Sequence, residues 1–99
     1  MSAIVEELFS KINTHKGIET VIVCDSEGVP IKSNMDDENK VYSISTAASS
    51  FVKKCTGVVQ EITEEDLHFI RIRTKTNEIM ISYETDFILI VIQNPSSNN

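Results

Sequence analysis

The chain has 99 residues, 40% of them apolar and 6% aromatic, with no Trp and a formal charge of −6. That size predicts one globular domain whose folding buries roughly 60–70% of the surface exposed by the unfolded chain. An acidic chain is poorly suited to neutralising phosphates, and there is neither an apolar run of about 18 residues nor a basic-then-apolar leader. Nucleic-acid binding, direct membrane insertion and a signal peptide are therefore not expected.

Taken in chain order, residues 2–16 read as a helix, because Ile4, Val5, Leu8, Phe9 and Ile12 fall on one stripe. Ser2 is placed to cap its start, and His15, Lys16 and Gly17 to stop it. The β-branched run 19–24, the turn residues Asp25-Ser26-Glu27-Gly28 and the segment 29–32 predict a hairpin. Pro30 cannot donate to a ladder, which puts the second strand on a sheet edge. Asp36 or Asp37 then caps a long helix running to about Gln60. Its apolar positions are Val41, Ile44, Ala48, Phe51, Val52, Cys55 and Val59, and its Ser, Thr and Ala-rich middle leaves room for another helix. Three strands follow, at 67–73, 78–82 and 87–93, joined by short polar turns. The domain is expected to span 1–95, with a disordered tail at 96–99.

The element order α-β-β-α-β-β-β predicts an α/β fold built on a five-stranded antiparallel sheet with helices packed on its faces. Consecutive strands tend to be neighbours, so the last three form a meander. The final strand is apolar on both faces, which marks it as interior. Strand 19–24 is then its second neighbour, and the order becomes 2-1-5-4-3. One edge is blunted by Pro30. The other is "LHFIRIR", with Leu67, Phe69, Arg71 and Arg73 on one face and His68, Ile70 and Ile72 on the other. An apolar edge without proline is a template for another chain. The expected occupant is a second copy, giving a sheet continued across a homodimer with the long helices paired beside the two-fold axis. Ala48, Phe51, Cys55, Leu67, Phe69, Arg71 and Arg73 are the expected interface. Arg71 and Arg73 either grip acidic groups on a partner or are solvated with packed stems.

Catalytic chemistry finds little support. His15 reads as a helix-terminal residue and His68 as a surface or interface residue. The acidic runs 36–38 and 64–66 lack the alternating spacing of a calcium loop, and no Gly-rich phosphate cradle occurs. Cys24 and Cys55, without CxxC spacing, read as reduced, buried packing residues of a cytosolic protein. No enzyme activity, metal or cofactor is expected.

Three stretches carry a family resemblance: "HKGIETVIVCDSEGVPIKS", "FIRIRTKTNEIMIS" and "DFILIVIQNP". Across nearly the whole chain they resemble roadblock-type dynein light chains. The resemblance implies a cytosolic, homodimeric, non-catalytic subunit of the dynein motor. Such a subunit binds the dynein intermediate chain and helps assemble the cargo-binding tail for microtubule-based transport, at the cytoskeleton or in a cilium or axoneme. A dimer holding two disordered chains would act by bivalency. Ile4, Leu8 and Ile12 are expected at the centre of that groove, or else entirely in the protomer's own core. The resemblance also allows an alternative. Roadblock-like proteins pair with small GTPases through the face bearing the long helices, which would make the Ser and Thr positions of 43–50 partner-facing. A third reading, an enzyme on a similar scaffold, requires a pocket of convergent polar groups that the sequence does not offer.

Overall fold

A computed structural model describes residues 3–94, apart from the side chain of Ile4. Ser2, the expected tail 96–99 and the Ile4 side chain expected in a groove lie outside the described residues. The elements are α1 (Ala3–Asn13), β1 (Ile18–Asp25), β2 (Pro30–Ser33), α2 (Glu38–Thr63), β3 (Phe69–Arg73), β4 (Glu78–Tyr83) and β5 (Phe87–Gln93). They form one antiparallel sheet in the order β2-β1-β5-β4-β3. The two-faced apolar strand β5 does sit between β1 and β4, and Pro30 does lie on an edge strand.

α1 stops short of the expected Lys16. The His15 N–H reaches back to the Ile12 carbonyl at 3.0 Å, Thr14 Oγ1 donates to the Lys11 carbonyl at 2.9 Å, and Gly17 turns the chain with φ 82. α2 begins where a cap was expected, with Asp37 accepting from the Lys40 N–H at 3.1 Å. It then runs on to Thr63, past Gly57, because that glycine faces open space and disturbs no packing. Glu64 ends it in the left-handed region, φ 61, with its N–H on the Gln60 carbonyl.

The slim middle of α2 serves a purpose different from the one expected. The β1–β2 turn is built on Asp25, whose carboxylate accepts from the N–H groups of Glu27 and Val29, both at 2.9 Å. Gly28, with φ 87, presses this turn onto the helix. A Cβ there would lie 3.1 Å from each of the Ser45 carbonyl oxygen, Ser49 Cβ and Thr46 Cα. Ser49 Oγ donates to the Ser26 carbonyl at 2.8 Å. The space beside Ser45 and Ser49 is therefore filled by the protomer's own turn, while Ser43, Ala47 and Ser50 stay exposed. Ala48, expected at a dimer interface, is buried among Ile22, Val52 and Ile88.

Two cores result, one on each side of the sheet. α2 packs over Ile22, Cys24, Ile81, Ile88 and Ile90, with Ile70 and Ile79 extending the contact to the far strands. α1 packs Val5 and Phe9 over Val21, Val23, Leu89 and Val91. Lys32 of β2 fastens α1 from the edge, with Nζ 2.9 Å from the Glu6 carboxylate and 5.0 Å above the Phe9 ring. β3 starts only at Phe69, so the expected alternation does not extend back to Leu67. That residue packs with Ile70 on the α2 side instead of sharing a face with Phe69.

Candidate interaction surfaces

Among the described residues β3 is bonded only to β4, so one row of its backbone groups faces outward there. Phe69, Arg71 and Arg73 alternate on its α1-side face, and Phe69 is 52% exposed. The two arginines do not wait for a partner's acid. Arg71 Nη2 lies 2.8 Å from Glu78 Oε1, and Arg73 Nη1 lies 3.9 Å from Glu78 Oε2. Hydrogen bonding to Glu78, reinforced by its charge, raises the already high pKa of Arg71 further. Both guanidinium groups remain largely exposed, so the clasp orders the strand pair rather than adding much stability.

The outward face of α2 supplies a second surface. Phe51, Cys55, Val58 and Ile62 recur at steps of four, three and four, an unpartnered apolar stripe along the second half of the helix. Ile62 is 75% exposed, Val58 is 57% exposed, and Cys55 is half-buried. Only Phe51 and Cys55 of this stripe were expected from sequence. Val58 and Ile62 were missed because Val59, their neighbour, completes the core-facing series. The heptad-like step from Phe51 through Ile62 was the signal for them. The Gln60 side chain donates to Asp66 at 3.0 Å and ties the connection after the helix back to its last turns.

On the opposite side of the sheet, α1 leaves a hollow of about 280 Å³ between its last turn and strands β3 and β4. Ile12, Ile18, Phe69 and Met80 line it, with His15 and Lys16 at its rim. Ile12 thus faces both the core and the hollow, whereas Leu8 is half-buried on the flank of α1. His68 is exposed beside Glu64, Glu65 and Asp66. Among the described residues no group of three or more His, Cys, Asp or Glu side chains is arranged to hold a metal. Cys24 is buried in the α2-side core, where desolvation pushes its thiol up to about 11 and the Ser45 hydroxyl offsets this only in part.

The Roadblock/LC7 domain matches residues 4–94, almost the whole of the described chain. The chain belongs to the Roadblock/LC7 family. Several solved structures that share the fold are bacterial. Myxococcus xanthus MglB superposes with a TM-score of 0.74 at 17% identity, over 92% of this chain and 72% of MglB. The gliding protein MglB of Thermus thermophilus gives 0.80 at 8% identity, over 98% and 78%. A Roadblock/LC7 domain from Streptomyces avermitilis gives 0.78 at 10% identity, over 86% and 73%.

These neighbours overturn the dynein light-chain reading. With it fall the intermediate-chain partner, the motor and microtubule role, and the cytoskeletal, ciliary or axonemal location. The structure shows why the quoted stretches misled. In "FIRIRTKTNEIMIS", Ile70, Ile79 and Ile81 are core contacts beneath α2, and Arg71 and Arg73 close onto Glu78 of the adjacent strand. In "DFILIVIQNP", the apolar run is the central strand, buried on both faces. Those residues report the fold, which gliding proteins and motor subunits can share.

Proposed function

We propose that the protein is a non-catalytic homodimer that binds a small GTPase and acts as its regulator or scaffold. The observations that carry this reading are the open β3 edge and the exposed apolar stripe on α2. Two copies joined antiparallel along β3 would continue the sheet from one protomer into the next. The same two-fold axis would bring Phe51, Cys55, Val58 and Ile62 of one α2 against those of the other, with Phe69, Arg71 and Arg73 at the strand junction. The paired helices would then present Ser43, Thr46, Ala47 and Ser50, all exposed, as one broad face of small side chains. Such a face admits close approach by a folded partner, which favours a globular GTPase over a long disordered peptide. The fold shared with MglB proteins supports the same direction.

The experiment is binding of purified protein to the small GTPases of its own cell, each loaded with GDP or a non-hydrolysable GTP analogue. Light scattering reports the oligomer in the same samples. A dimer that binds one GTPase in one nucleotide state supports the proposal. A Val58→Asp, Ile62→Asp double variant should be monomeric and lose that binding. A monomeric wild-type protein, or a dimer indifferent to every GTPase, would overturn it.

A further inference from the structure

The hollow between α1 and the uncovered half of the sheet lies on the side away from α2, so the dimer and GTPase contacts proposed above leave its α1 side open. It encloses about 280 Å³. An apolar cavity of roughly 150 Å³ holds one benzene ring, so this space takes roughly ten to twelve carbon atoms. It is also elongated. Leu89, Ser82 and Phe69 stand in register across β5, β4 and β3, and Gln93 lies further along β5. Two strand spacings across and four residues along make a track of roughly 17 Å from Gln93 to Phe69. Ile12, Ile18 and Val91 wall it, and Met80 offers an adaptable thioether. The two ends of the track differ. Phe69 leaves one end open to solvent. At the other, the Asn94 N–H on the Gly17 carbonyl at 2.9 Å fixes the chain where exposed His15 and Lys16 form the rim. Among the described residues Lys16 makes no ion pair and no carboxylate lines the hollow. Glu78, opposite Gln93 in the register, is held by Arg71 and Arg73. In a chain of net charge −6, an unpaired cation at the mouth of an apolar track runs against the overall charge.

From this conjunction we propose that the hollow binds a free medium-chain fatty carboxylate. The alkyl chain lies along Ile12, Ile18, Met80 and Phe69. The carboxylate meets the Lys16 ammonium and accepts from a ring N–H of His15. Charge at the rim sets the orientation of the ligand, and the buried methylenes set its affinity. Because the Phe69 end is open, the last methylenes stay partly in water, and binding is weaker than in a closed pocket.

The test uses the full chain and decanoate, titrated by calorimetry below the concentration at which decanoate aggregates, with amide and methionine-methyl NMR shifts for location. Decylammonium, of equal chain length, is the control. A chain of charge −6 attracts the cation in general, so a preference for the anion has to come from the rim. Decanoate should bind at least about tenfold more tightly than decylammonium. Hexanoate, shorter by four methylenes, should bind at least about tenfold more weakly than decanoate. The largest shifts should fall on Ile18, Phe69 and Met80. Lys16→Glu should weaken decanoate binding about tenfold, equivalent to about 1.4 kcal/mol. Lys54→Glu, the same change of charge at an exposed position on α2, should leave it unaltered. Phosphatidylglycerol vesicles, which hold acyl chains and anionic groups in a bilayer, should not sediment the protein. The proposal is overturned by decylammonium binding as tightly as decanoate, by affinity independent of chain length, or by no binding of decanoate at millimolar concentration. Equal effects of the two lysine variants, shifts centred on Ile31 and Tyr42, or sedimentation with vesicles in place of decanoate binding would overturn it equally.

Discussion

The two faces of the sheet are covered very differently. α2 has 26 residues and so runs about 39 Å, while α1 has 11 and runs about 16 Å. Five strands spaced about 4.8 Å apart make a surface roughly 20–24 Å wide. The longer helix crosses that width obliquely, and its core reaches from Ile22 on β1 to Ile70 on β3. The shorter helix closes β1 and β5 and leaves β4 and β3 open around Phe69 and Met80. One face is therefore a finished core, and the other is a core on one half and a surface on the other. Helix length, more than residue type, decides which side of this small sheet stays available.

The strongest way to break that contrast is to truncate one residue on each face. Ile90→Ala, beneath α2, should lower unfolding free energy by about 2–5 kcal/mol in a denaturant titration. Met80→Ala, beside the open hollow, should cost clearly less, and equal losses would mean that the α1 side is as closed as the other. Titration offers a second measure. The Cys24 thiol is raised from 9.0 to about 11 in the folded protein. The unfolded chain therefore ionises first, so stability is level below about pH 9 and falls as the pH rises through 11, by about 3 kcal/mol in all. A Cys24→Ala protein should lack that decline. In the native state at pH 8, a thiol reagent should spare Cys24, and labelling of it should appear only on unfolding. A third comparison concerns the turn that fills the slim part of α2. Gly28→Ala puts a side chain at positive φ against helix backbone and should cost about 1–2 kcal/mol. If it is silent, the turn is not pressed on the helix as described. The smallest effect is expected from Asp37→Ala, which removes the cap of the covering helix and should cost about 1 kcal/mol by thermal or chemical unfolding.

Much of this architecture was legible in the residues, since it follows from patterns the chain states outright. β5 is apolar on consecutive positions and could only be interior, Pro30 could only be at an edge, and Asp37 offered a cap. Once those were placed, the strand order followed. What was not legible depends on contacts between distant segments. Nothing local says that the room beside Ser45 and Ser49 is taken by Gly28 and Ser26 rather than by a second helix. Nothing local says that Arg71 and Arg73 satisfy themselves on Glu78. The outward stripe on α2 was half visible, because Phe51 and Cys55 lie next to core positions, whereas Val58 and Ile62 lie at or past the end expected near Gln60.

The strand order has a kinetic meaning as well. β1 and β2 form one hairpin, β3 and β4 another, and β5 alone joins them, although it follows all four along the chain. Neither hairpin can complete a core by itself, so the sheet closes only when β5 inserts between two pre-formed halves, by contacts reaching back from Gln93 to Ile18. Closing so long a loop is slow compared with folding that proceeds through local contacts. During synthesis, the apolar faces of both hairpins would stay uncovered until the ribosome has released this one segment. A chain cut before Phe87 should accumulate as an aggregation-prone intermediate rather than as a smaller version of the domain.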